Sequence, residues 1–134
     1  MSPQYVRDDI GIAFDFIQKD WKFFKNYTSN PKISERSDIV IAAVKQNWET
    51  LKYIKSKDLD NKEIVLHAVK QNGLALQYAG ANMKKDLTVV KAAVEQNLGA
   101  LYYASKELKK NEELLRIAYN KNPLIIRNFP SEEL

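Results

Sequence analysis

Residues 62–86 read KEIVLHAVKQNGLALQYAGANMKKD, and residues 87–111 read LTVVKAAVEQNLGALYYASKELKKN. They align without a gap, and two more blocks join them: SDIVIAAVKQNWETLKYIKSKDLDN at 37–61 and EELLRIAYNKNPLIIRNFPSEEL at 112–134. A step of 25 carries Ile39 to Ile64, Val89 and Leu114, and Ala43 to Ala68, Ala93 and Ala118. The same step carries Asn47 to Asn72, Asn97 and Asn122, Leu51 to Leu76, Leu101 and Ile126, and Tyr53 to Tyr78 and Tyr103. A fixed period of this length marks stacked supersecondary units. A weaker copy precedes them. A step of 27 sets Ile12, Phe14, Ile17, Trp21 and Phe24 under Ile39, Ile41, Val44, Trp48 and Leu51, with Asp20 in the place of Asn47.

Within a unit, Ile64, Val65, Ala68 and Val69 form the stripe of a helix with one buried face; adjacent apolar pairs do not fit the alternation of a strand. Asn61, Asp86 and Asn111 stand just before each stripe, where a side-chain oxygen can accept first-turn N–H groups. The second half opens after the recurrent Asn. At Asn122-Pro123 this is a cap followed by Pro at the first helical position, so Asn47, Asn72, Asn97 and Asn122 are expected structural caps. Leu74, Leu76, Tyr78 and Ala79 supply the apolar side of this shorter helix, and a connector rich in Lys and Ser follows. Helices this short cannot stand alone, so successive hairpins stack on a common core. The Ala column fits close helix approach.

The expected fold is therefore all-α: a right-handed α-solenoid-like stack of about five 25-residue helical hairpins in a single domain, 1–134. The repeats run 9–36 (degenerate), 37–61, 62–86, 87–111 and 112–134 (capping). Phe14, Phe16, Trp21, Phe23, Phe24 and Tyr27 are expected to plug one end, and Ile125, Ile126 and Phe129 the other, with Pro130, Glu132 and Glu133 as a polar finish.

The chain has 134 residues, 45% hydrophobic and 28% charged, the balance of one globular domain rather than a disordered segment. It has no Cys, which excludes a disulfide scaffold, a thiol nucleophile and Cys-ligated metals. No apolar run reaches the roughly 20 residues of a membrane helix, and no signal-peptide core is read at the N-terminus. His67, the only histidine, shares its column with Ala42, Ala92 and Ile117; a base or metal ligand needs partners, so this is a packing or rim position. Asp8-Asp9, Glu112-Glu113 and Glu132-Glu133 are neighbours in sequence that point apart. No phosphate loop, dinucleotide fingerprint or hydrolase motif occurs. The expectation is no enzyme, no cofactor and no metal.

Two features point to binding. Lys84-Lys85 and Lys109-Lys110, like Lys45 and Lys70, recur one period apart and would align into stripes able to meet phosphates. Glu95 interrupts the second row, and 17 of the 21 basic residues are Lys. The stronger feature lies where the repeats disagree. Trp48 occupies the column of Gly73, Leu98 and Pro123, and Tyr102 a column otherwise Lys52, Gln77 and Arg127. Trp and Tyr anchor protein interfaces, so Trp48, Lys52, Gln77 and Tyr102 are the candidate partner-binding residues. The bland alternative has Trp48 packing over the N-terminal aromatics. Tyr53, Tyr78 and Tyr103 are read as a core ladder, and Gln46, Gln71 and Gln96 as turn-bonding residues.

The segment EIVLHAVKQNGLALQYA (Glu63–Ala79), with AAVEQN and ALYYASKEL in the next unit, closely resembles the repeats of the Domain of Unknown Function 4116 family. Those repeats centre on V-x-A-A-V-K-Q-N-G-x-A-L-x-Y-A-S-x-x-L. Val69, Lys70, Gln71, Asn72, Gly73, Ala75, Leu76, Tyr78 and Ala79 match, as do Val94, Gln96, Asn97, Leu101, Tyr103, Ala104, Ser105 and Leu108. The resemblance is good over 37–108, weak over 112–134 and poor before that. His67 departs from the usual Ala, Trp48 and Leu98 from the Gly, and Gly80-Ala81-Asn82 from Ser-x-Glu. The resemblance implies helical repeats without an assigned activity, in a family seen in protists and in bacteria that live inside host cells. It implies a binding scaffold, a secreted effector or a regulator of one. The expected function is a non-catalytic protein-interaction module whose partner is another protein, cytoplasmic or delivered into a host cell by a specialised secretion system. The alternative is nucleic-acid or anionic-surface binding through the Lys stripes.

Overall fold

A computed structural model describes residues 10–54 and 57–124. The apolar pairs wind into five ten-residue α-helices: α1 (Ile10–Lys19), α2 (Ser37–Gln46), α3 (Lys62–Gln71), α4 (Leu87–Gln96) and α5 (Glu112–Lys121). Each of the first four is followed by a 3-10 helix: η1 (Trp21–Tyr27), η2 (Trp48–Tyr53), η3 (Gly73–Tyr78) and η4 (Leu98–Tyr103). No strand occurs among the described residues, and the chain is an all-α repeat stack.

One residue joins each pair of helices. The Asn47 N–H closes the last turn of α2 on Ala43 O at 3.1 Å, while its side-chain Oδ1 accepts the Glu49 N–H at 2.8 Å and opens η2. Asn72 and Asn97 do the same, accepting from Leu74 N at 3.0 Å and Gly99 N at 2.8 Å. Asn122 Oδ1 accepts from Leu124 N at 3.1 Å. Because one side chain caps what its own main chain has just ended, no loop is needed between the two helices.

The unit differs from a two-helix hairpin in two ways. Its second helix is 3-10, with three residues per turn, so positions i and i+3 eclipse. Gly73, Leu76 and Ala79 are thus buried in one line, whereas Leu74 and Gln77 form another that is only half-buried. The connector is also helical: Pro31–Ser34, Ala81–Lys84 and Lys106–Lys109 are single α turns and Lys57–Asp60 is a 3-10 turn. Connectors of successive units bond across 21 residues, Gly80 N to Leu59 O at 2.8 Å and Ser105 N to Lys84 O at 2.9 Å.

α-Helix packs on α-helix and 3-10 helix on 3-10 helix in order along the chain. The core runs between these rows. Ala43, Ala68, Ala93 and Ala118 are fully buried, as are Val40, Val65, Val90, Leu51, Leu76 and Leu101. Helices that bury a stripe without room for larger side chains tolerate little extra volume.

The Gln column is the link between units. Gln71 Nε2, at the end of α3, donates to Val44 O at 2.6 Å in the preceding unit, while its Oε1 accepts the Trp48 N–H at 2.8 Å. Gln46 repeats both bonds, to Ile17 O at 2.5 Å and from Trp21 N at 2.9 Å, and Gln96 Oε1 accepts from Gly73 N. Gln46 and Gln71 therefore each satisfy a first-turn donor of one 3-10 helix and a last-turn acceptor of one α-helix, and Gln96 a first-turn donor, groups that the helices themselves leave open.

The first unit keeps this plan at a step of 27. Asp20 replaces Asn, accepting from Lys22 N at 3.0 Å, and η1 is one residue longer than the others. Phe24 and Tyr27 are buried, Phe14, Phe16 and Trp21 half-buried, and Phe23 is exposed, so the aromatic end is only partly closed core. Asp8, Asp9, Ile125, Ile126, Arg127, Phe129, Pro130, Glu132 and Glu133 lie outside the described residues.

Candidate functional site

The exposed edge of the 3-10 row gathers the aromatics. Trp48 is held at its amide by Gln71 and at the next residue by the Asn47 cap, which fixes where its ring goes. That ring stacks on Tyr78 of the following unit, with centroids 6.2 Å apart and planes at 28°. It does not lie over the N-terminal aromatics. Lys52 Nζ sits 5.2 Å from the Trp48 ring centre and 5.8 Å from that of Tyr78, inside the range of a cation–π contact. Glu49 Oε2, one 3-10 turn earlier, lies 3.3 Å from the same ammonium.

The preceding unit builds the same arrangement. Trp21 and Tyr53 lie 6.5 Å apart with planes at 42°, and Lys25 Nζ is 5.0 Å from the Tyr53 ring centre. The series stops at Gly73 for a steric reason: a Cβ there would lie 2.2 Å from Ala93 O. With no ring from that column, Tyr103 is 37% exposed. The Tyr ladder is therefore core only in part: Tyr53 and Tyr78 are half-buried against the core and meet Lys and Trp on the other side, whereas Tyr103 is exposed.

Of the four candidate residues, the structure brings Trp48 and Lys52 together. Gln77 and Tyr102 continue the Lys52 column on the next two 3-10 helices. Gln77 is turned back on its own helix, its Nε2 donating to Leu74 O at 3.1 Å, while Tyr102 is 49% exposed. Sequence reasoning missed Lys25, Glu49, Tyr53 and Tyr78. The step of 27 that pairs Trp21 with Trp48 was the available signal, because it also pairs Lys25 with Lys52.

Elsewhere the polar groups serve local structure. His67 lies half-buried in a shallow depression on the outer face of α3 with Lys62, Glu63, Leu66 and Lys70. Asp58 is buried in a column otherwise Ile33, Met83 and Leu108, and accepts the Ser37 hydroxyl at 3.1 Å. Among the described residues no three His, Cys, Asp or Glu side chains converge as a metal site would require, and no helix is long and apolar enough to cross a membrane.

One of the two Lys rows is interrupted: Lys45 and Lys70 are exposed but Glu95 comes next, whereas in the connectors Lys84 and Lys109 are half-buried and Lys85 and Lys110 exposed. Lys62 meets Asp86 at 3.3 Å, and Lys91 meets Glu113 at 2.6 Å, a hydrogen bond that raises the Lys91 pKa. The Arg36 guanidinium, bonded to Asp38 at 3.1 Å, holds that carboxyl below its ordinary value and has its own pKa raised by the same bond.

The sequence profile of the family described as Domain of unknown function (DUF4116) matches this chain three times in overlapping register, at residues 37–84, 61–109 and 86–134. No curated protein and no solved structure matches the chain.

Proposed function

The chain belongs to the DUF4116 family, and from that premise we propose that it is a non-catalytic protein-interaction module whose contact surface is the exposed 3-10 edge. The observation that carries this reading is the Trp48–Lys52–Tyr78 stack, in line with the exposed Tyr102 and Tyr103. Aromatic side chains that are half-buried and held in place bury large area on contact at small entropic cost. Such a module acts in the cytoplasm, of its own cell or of a host into which it is delivered, as an effector or a regulator of one. Glu95 in the row of Lys45 and Lys70 and the ion pairing of Lys62 and Lys91 favour this over binding to nucleic acid, whose electrostatic attraction grows with the number of phosphates neutralised.

Affinity capture with four forms of the full chain tests it: wild type, Trp48→Ala, Tyr102→Lys, and Lys84→Ala/Lys109→Ala. A protein retained by wild type and the double Lys variant, and lost by the Trp48 and Tyr102 variants, supports the reading. Retention by all four forms, or loss only with the double Lys variant, overturns it.

A further inference from the structure

The exposed edge is not uniform along the stack. Its column reads Lys25, Lys52, Gln77, Tyr102, one residue from each successive 3-10 helix. The four helices pack in that order, so the column is continuous. Charge is confined to the first two: η1 and η2 carry Lys22, Lys25, Lys52 and Glu49, whereas η3 and η4 carry no charged residue.

Two of these cations are held in place. Lys25 and Lys52 rest over aromatic rings, which restrains long side chains that would otherwise lose entropy on binding. Both residues are exposed, and Glu49 pairs with Lys52. The far end is different in kind, because Tyr102 and Tyr103 offer exposed ring surface without a formal charge.

We infer that this edge takes an acidic protein segment lying along the stack, with carboxylates on Lys25 and Lys52 and apolar side chains against Tyr102 and Tyr103. This rests on the protein-interaction reading above and adds the chemistry and direction of the partner. A nucleic acid strand fits less well. The Trp48 ring face is already covered by Tyr78 and Lys52, so bases have no platform there. Among the described 3-10 helices there is also no Arg to grip phosphates in bidentate fashion.

Random peptides displayed on phage and panned on the immobilised full chain test the inference, with enriched sequences resynthesised and titrated by fluorescence anisotropy. The expected consensus has Asp or Glu at one end and Phe, Leu or Trp at the other. Lys25→Glu/Lys52→Glu should weaken such a peptide about tenfold or more by placing like charges in contact. Tyr102→Lys should weaken it several-fold, Lys109→Glu should change it less than about twofold, and duplex DNA should not compete. Lys25, Lys52 and Tyr102 are exposed and Lys109 half-buried, and circular dichroism checks that each variant keeps its helices. Neutral or basic peptides that are still lost with Tyr102→Lys would overturn the acidic assignment while leaving the face intact. Peptides indifferent to every substitution on the face, or no enrichment at all, would overturn both. Competition by duplex DNA would assign the edge to nucleic acid and also overturn the inference.

Discussion

Replacing Gln71 by Ala removes the side chain that fastens the 62–86 unit to the one before it. Three contacts go: Nε2 to Val44 O at 2.6 Å, Nε2 to Lys45 O at 3.4 Å, and Trp48 N to Oε1 at 2.8 Å. Two are of ordinary length, and an intramolecular hydrogen bond contributes a net of roughly 0.5–1.5 kcal/mol, giving about 1–3 kcal/mol in all. The position is exposed, so water reaches the released groups and the expected loss falls to about 1–2 kcal/mol. For a chain of this size that lowers Tm by roughly 4–8 °C. Urea unfolding followed by circular dichroism measures it, with Lys70→Ala, an exposed neighbour on the same helix, as the control. Gln71→Glu sharpens the test: above the carboxylate range it keeps the acceptor for Trp48 N but sets a negative charge against the Val44 carbonyl. That repulsion raises the introduced group's folded pKa. The variant should therefore be least stable near neutral pH and recover as acid restores an O–H donor. If Gln71→Ala costs no more than Lys70→Ala, or Gln71→Glu shows no such recovery, the side-chain link between units carries no stability and the reasoning fails.

Other outcomes follow from the same geometry. Ala68→Phe should overpack a fully buried position by roughly 1–3 kcal/mol or more, read from thermal unfolding. Gly73→Ala should destabilise the fold, since its Cβ would collide with the Ala93 carbonyl at 2.2 Å. Gly99→Ala meets only the tip of Leu74 and a cap oxygen, at 3.1 and 3.2 Å, and should be near neutral in the same assay. Asp38 has a folded pKa below its ordinary value because Arg36 bonds to it. Its contribution is thus present above the unfolded pKa and disappears as pH falls through the folded one. Both partners are about half exposed, so the effect is small, and an NMR titration in which Arg36→Gln moves the Asp38 midpoint upward is the direct check.

The α-helices and their buried face were legible because adjacent apolar pairs, such as Ile64-Val65 and Ala68-Val69, recur from unit to unit at helical spacing. The Asn column was legible from the Asn122-Pro123 pair, a purely local signal. The 3-10 helices were not: over six residues an apolar pattern fits three residues per turn as well as 3.6, and only eclipsing explains why Leu74 and Gln77 lie together outside the core. The connector turns were missed because PKIS, KDLD, ANMK and KELK share no stripe, and Asp58 stands where the others place Ile33, Met83 and Leu108. Gln71 looked like a turn residue because its partners lie 23 to 27 residues away and come near only once the units stack. Trp48 stood out as a departure from the repeat, but its partner Tyr78 obeys the repeat and so read as part of a core ladder.

The central claim is that the 25-residue register is a stack of units closing over one interior, with Ala43, Ala68, Ala93 and Ala118 inside it. Since the chain has no cysteine, each of these can be replaced singly by Cys and its reaction with a thiol reagent timed under native conditions, with Thr88→Cys as the exposed reference. The account predicts that all four react orders of magnitude more slowly than the reference until the chain is unfolded. Labelling of Ala68→Cys or Ala93→Cys at the rate of the exposed position, with the helical signal intact, would contradict it.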